Sequence, residues 1–141
     1  MASDSTAKFS AAERAAMKER ARELKGQQTR AANEALVLEK IATMSPADKV
    51  LAERVHAIVK DVAPQLEAKT WYGMQAYFKD GKVVVFFQDA GKFQSRYCTL
   101  GFQDAANLDD GKIWATSFAV IDIDDKTASL IARLVTRAAA D

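Results

Sequence analysis

Asp80-Gly81 sits between two runs of aromatic and β-branched residues, Thr70 to Lys79 and Lys82 to Gln88. An Asp-Gly pair supplies the two positive φ angles that a two-residue hairpin turn requires, so these runs are predicted to pair as antiparallel strands. The texture continues beyond them. Asp89-Ala90-Gly91-Lys92 reads as the next turn, Phe93 to Gly101 as a third strand, Gln103 to Lys112 as a polar loop and Ile113 to Ile121 as a fourth strand. Hairpin links leave no room for helices between strands, so the helices are expected to gather on one face of the sheet.

Those helices are read from their ends. Ser45-Pro46-Ala47-Asp48 combines an N-cap, a proline where no N–H is missed and an acid in the first turn. Leu51, Val55, Ile58, Val59 and Val62 then share a face until Pro64 stops the helix. A last helix follows Asp124 or Asp125 as N-cap and presents Leu130, Ile131, Leu134 and Val135 to the core. Upstream, Ser10-Ala-Ala-Glu13 spells a capping box. That helix is expected to end near Gly26, with Gln27 to Arg30 as a break before a stripe of Leu36, Val37, Ile41 and Met44. The predicted fold is α+β, a two-layer sandwich of antiparallel meander and helices over residues 31–141, preceded by a helical arm over residues 1–30.

Composition narrows the functions. At 141 residues, 49% hydrophobic and 28% charged, the chain has the material of one globular domain. Its net charge of +1 gives no field for steering a polyanion, and Arg14, Lys18, Arg22 and Lys25 on the arm are diluted by Glu13, Glu19 and Glu23. Nucleic acid is therefore not an expected partner. Met1 to Thr6 has no signal-peptide pattern, Val83 to Phe87 is only strand-length, and Cys98 is a lone cysteine. A cytoplasmic setting without a membrane span is the expectation.

The stretch Lys69-Thr-Trp-Tyr-Gly-Met-Gln-Ala-Tyr-Phe-Lys-Asp-Gly-Lys82, then Val83 to Phe87 and Gly91-Lys92-Phe93, with Ala63-Pro64 ahead of it, resembles the YdhG-like family of small bacterial domains. The resemblance covers the chain from Ser45 to its C-terminus, and departs at Gln75, where family members show a proline. It implies a helix-sheet-helix sandwich similar to frataxin. Because some members are described as frataxin-like iron chaperones, it also implies iron as a ligand.

No nucleophile, base and acid fall into a recognisable catalytic spacing, so a non-enzymatic binding protein is expected. Asp109, Asp110, Asp122 and Asp124 are oxygen donors for a hard cation if the fold brings them together, although Asp109-Asp110-Gly111 also suits a turn and Asp124 a helix cap. Trp71, Tyr77, Tyr97 and Trp114, with Arg96 beside them, are candidates for an aromatic platform on the uncovered sheet face. Such a platform would grip a small planar molecule, a protein partner or a second copy as a homodimer. His56 and Cys98 read as packed residues rather than a catalytic pair.

Overall fold

The computed structural model describes residues 10–141. Met1 to Thr6, read above for a targeting signal, lies outside them, as do the side chains of Glu19, Arg22 and Glu23. The elements in chain order are α1 (Ala11–Ala42), α2 (Pro46–Val62), β1 (Glu67–Trp71), β2 (Met74–Lys79), β3 (Lys82–Gln88), α3 (Ala90–Phe93), β4 (Cys98–Phe102), β5 (Ser117–Val120) and α4 (Asp125–Ala139). The five strands form one antiparallel meander in the order β1-β2-β3-β4-β5, so this is an α+β protein. The chain divides into two compact units, Met1–Ala32 and Asn33–Asp141.

α1 starts where expected, with the Glu13 N–H donating to Ser10 Oγ at 3.1 Å. The Ser10 hydroxyl in turn donates to the Glu13 carboxylate at 3.1 Å, replacing the backbone bond of a full capping box. The helix does not stop at Gly26, nor break at Gln27 to Arg30, but runs unbroken to Ala42. A glycine inside a helix costs only about 1 kcal/mol against alanine, and the surrounding Ala, Leu, Arg and Lys are strong helix formers. Thr29 donates its hydroxyl to the Lys25 carbonyl at 2.9 Å, so it too is satisfied within the helix.

α2 begins at Ser45, whose Oγ accepts the Asp48 N–H at 3.4 Å, and α4 at Asp124, whose carboxylate accepts the Thr127 N–H at 2.8 Å. Both caps are where the sequence put them. The first predicted strand, however, is two. Tyr72 and Gly73 hold φ of 50° and 74°, nearly the values of Asp80 and Gly81 at 50° and 78°, so Thr70 to Lys79 folds back on itself. This second tight turn gives the sheet five strands rather than four. Asp89 to Phe93 winds into α3 instead of a simple turn, so β4 begins at Cys98, and β5 is confined to Ser117–Val120. Ile113 to Thr116 consequently belongs to the loop.

The register decides which side chains meet the helices. Ala68, Tyr77, Val85 and Phe102 lie opposite one another across four strands, as do Gln75, Phe87, Leu100 and Phe118. This face packs with Val55 and Val59 of α2 and Ile131 and Val135 of α4 into one core, joined by Val37 and Ile41 from the last part of α1. Phe87, Val85 and Val55 are fully buried, each contributing about 1.5–3 kcal/mol by removal from water. The opposite face carries Lys69, Trp71, Met74, Phe86, Thr99 and Ala119. The tip of the Phe86 ring lies over Gly101, where an added Cβ would meet it at 2.2 Å, so only glycine permits that approach.

Candidate functional site

In a meander, the β1–β2 turn, the β3–β4 link and the end of β5 all emerge at the same end of the sheet. At that end the Tyr72-Gly73 turn, α3 and the start of β4 converge on the first turn of α2. Asp48 is the hub. It is 7% exposed, and its two oxygens accept the Gly91 N–H at 2.8 Å and the Cys98 thiol at 3.3 Å. A carboxylate at this helical position ordinarily serves its own N-terminus. Here Ser45 does the capping, which frees Asp48 to reach residues far away in sequence.

Burial, and next to it the Asp48 carboxylate, push the Cys98 thiol up to about 11 against the opposing Ala90 N–H. At neutral pH Cys98 is therefore a protonated donor rather than a thiolate nucleophile. Asp89 is 4% exposed, and its Oδ1 has no hydrogen-bond partner among the described residues. Its charge acts on both Cys98 and Lys40. The like charge of Lys92 beside it, together with burial, holds Lys40 below the usual lysine range. Lys92 also donates to the Gly73 carbonyl at 3.2 Å. Its Nζ occupies the space where a Cβ on residue 73 would stand, so Gly73 serves both the positive φ and the lysine's seat.

Beside this cluster opens a cavity of about 460 Å³, walled by Asp48, Leu51, Arg96, Tyr97, Cys98 and Asp122, among others. The Arg96 guanidinium lies 5.3 Å from the centre of the Tyr97 ring, a cation–π pair at the rim. A second polar network ties the other side of the domain. Gln75 Nε2 donates to the Ala52 carbonyl at 3.1 Å and to Tyr77 Oη at 3.0 Å. The tyrosine proton then faces His56 Nδ1 at 2.9 Å, which leaves the Nε2 proton of His56 for the Glu34 carboxylate at 3.0 Å. Burial lowers His56 despite Glu34, favouring this neutral form. Burial alone would raise Glu34, but Lys60 and His56 outweigh it and hold the carboxyl below its ordinary value.

The sequence-predicted platform is not assembled. Tyr77 is 1% exposed on the helix-covered face, because the turn at Tyr72-Gly73 reverses the chain and places it opposite Ala68, whereas Trp71 pairs with Met74 on the other face. Trp114 sits in the loop after β4 and lines a separate cavity of about 630 Å³ with Asp104, Asp109 and Thr116. Only Arg96 and Tyr97 stay together. The four candidate metal ligands are likewise dispersed: Asp124 caps α4, Asp122 borders the Cys98 cavity, Asp109 faces the Trp114 cavity and Asp110 lies in the turn beside Gly111. Among the described residues no three His, Cys, Asp or Glu side chains are grouped to hold a metal ion.

Lys40, Asp48 and Asp89 were not among the sequence candidates, and Lys92 appeared only within a motif. Their partners lie tens of residues away, so no local spacing marks them. Among the described residues no helix is long and apolar enough to cross a membrane. No family model, no curated protein and no solved structure matches this chain.

Proposed function

We propose that the protein is a binding module, not a catalyst, and that its small-molecule site is the Asp48–Cys98 cavity at the end of the sheet. The observation that supports this reading is a pinned set of polar groups beside an opening with an apolar wall. Asp48 is fixed by two hydrogen bonds, and Leu51 and Val120 line the same space. Small-ligand pockets have this composition, with few polar groups of fixed direction in an apolar surround. Asp48 and Asp122 favour a ligand carrying hydrogen-bond donors, and Tyr97 with Arg96 favours a planar body that stacks at the rim. Catalysis is disfavoured by the chemistry of the groups present, since the Cys98 thiol stays protonated and His56 is engaged on both ring nitrogens.

An NMR screen of planar fragments bearing amines or amidines tests the reading. Hits are expected to move the amides of Arg96, Tyr97, Cys98 and Asp122. Tyr97→Ala is expected to weaken them by about fivefold, the loss of roughly 1 kcal/mol of ring contact. Fragments that bind only elsewhere, or that ignore Tyr97→Ala, would overturn the assignment.

A further inference from the structure

β5 is an edge strand, paired with β4 on one side only. The Phe102 N–H donates to the Thr116 carbonyl at 2.8 Å, which sets the alternation along the ladder. Phe118 and Val120 therefore turn their backbone groups to β4, and Ser117 and Ala119 turn theirs outward. Among the described residues no other backbone hydrogen bond reaches these outward groups. Natural sheets guard such edges by keeping them short, as β5 is at four residues, or with charge, proline, bulges or a covering element. Residues 113–121, Ile-Trp-Ala-Thr-Ser-Phe-Ala-Val-Ile, carry no charge and no proline.

Alongside the edge runs a groove of about 270 Å³ between β5 and α4, lined by Phe118, Val120, Asp122, Leu130, Ile131 and Leu134 among others. Leu130 is 45% exposed and Ile121 80% exposed at its margins. Asp122 is the only charged side chain lining it, and makes no ion pair among the described residues.

We propose that this groove binds an extended segment of another protein, which adds to the sheet as a sixth strand against β5, places alternate apolar side chains over Leu130 and Leu134, and sets a Lys or Arg against Asp122. The outward N–H and C=O groups specify an extended backbone, and the strand period of two delivers every second side chain to the groove. Charge selects among occupants. A second copy pairing antiparallel about Ala119 of both chains would set Thr116, not a basic side chain, opposite Asp122. A basic, alternating apolar segment supplies both. The groove shares Val120, Ile121 and Asp122 with the Asp48–Cys98 cavity, whereas Ala119, Leu130 and Leu134 line the groove and not that cavity, so variants at these three test the strand-binding reading separately from the small-molecule one.

Panning a phage-displayed library of random linear peptides on the full chain tests it. The enriched sequences are expected to alternate apolar with small residues and to carry Lys or Arg at one end. A fluorescein-labelled consensus peptide is expected to protect the Ser117 and Ala119 amides from exchange. Ala119→Pro removes an outward N–H without touching the β4 ladder, and is expected to weaken binding roughly tenfold. Asp122→Lys is expected to turn the library's preference from basic to acidic residues. If Ala119→Pro does not fold by circular dichroism, Leu130→Glu at its exposed position takes its place. Absence of enrichment over an unrelated control protein, or binding indifferent to these variants, overturns the proposal. So does a concentration-dependent dimer dissolved by Ala119→Pro or Leu130→Glu, which would assign the edge to a second copy.

Discussion

β1 and β5 are the two edges of one sheet, yet β1 places Glu67 and Lys69 along its length, while β5 reads Ser-Phe-Ala-Val with no charge at all. Behind β1 and β2 the domain is tied by directional bonds: Asn33 donates to Glu67 at 3.2 Å, and the chain Glu34–His56–Tyr77–Gln75 links α1, α2 and β2. Behind β5 the contacts are apolar, with Val120 and Ile131 buried and Phe118 and Leu134 partly buried against the core. Directional bonds permit one arrangement, whereas an apolar groove tolerates exchange of what fills it. The contrast separates a side of the sheet built to hold its shape from a side left free to accept something.

The largest expected difference lies in the cost of truncation. Tyr77→Ala deletes a fully buried ring and both hydrogen bonds at its hydroxyl, and is expected to cost about 3–5 kcal/mol in urea unfolding. Phe118→Ala removes a half-buried ring beside the groove, and is expected to cost about 1–2.5 kcal/mol. Equal losses would mean that β5 is as firmly integrated as β2, and the contrast between the two sides would fail.

The two sides are also expected to respond differently to pH. Native His56 holds its proton less tightly than in the unfolded chain, where the ordinary value is 6.5, so its contribution to stability is fully present above that value. As pH falls through 6.5 the unfolded chain takes up a proton first, and stability declines until native His56 is itself protonated. Glu34 is lowered from 4.5, so its contribution is present above that value and is lost as pH falls through its folded-state pKa. Urea midpoints measured against pH are expected to fall in two stages. His56→Gln should abolish the first stage and keep the second, whereas Leu130→Ala should shift the whole curve without changing its form. A first stage that survives His56→Gln would place the titration elsewhere.

Much of this was legible because it is local. Ser45-Pro46, Asp124 and Asp80-Gly81 act within one turn of themselves, and each does what its residues dictate. Gly26 was over-read as a stop because a single helix-weakening residue is outweighed by its neighbours. Tyr72-Gly73 stayed hidden because tyrosine is a strand former and an uncommon occupant of a positive-φ site, and that omission inverted the facing of Tyr77. Asp48 read only as an acid suited to the first turn of α2. Its role depends on Gly91 and Cys98, which only the folded meander brings to it.

The smallest effect concerns the turn that holds β1 to the sheet. Tyr72 and Asp80 occupy equivalent positions in two similar turns, but a bulky side chain at positive φ carries a cost of about 1–2 kcal/mol that asparagine or aspartate largely avoids. Tyr72 is 82% exposed, so burial offers it little, and its compensation is an edge-to-face contact with Trp71 at 5.0 Å. Such a pair contributes about 0.5–1.5 kcal/mol, nearly offsetting the strain. Tyr72→Asn is therefore expected to stabilise the protein by about 0.5 kcal/mol, read as a higher urea midpoint at unchanged slope. In a Trp71→Leu background the gain should rise to about 1 kcal/mol, because the ring contact is already gone. A loss instead of a gain in both backgrounds would show that Tyr72 is held by something other than Trp71, and that the β1 side is fastened through its turn as well as through its buried polar network.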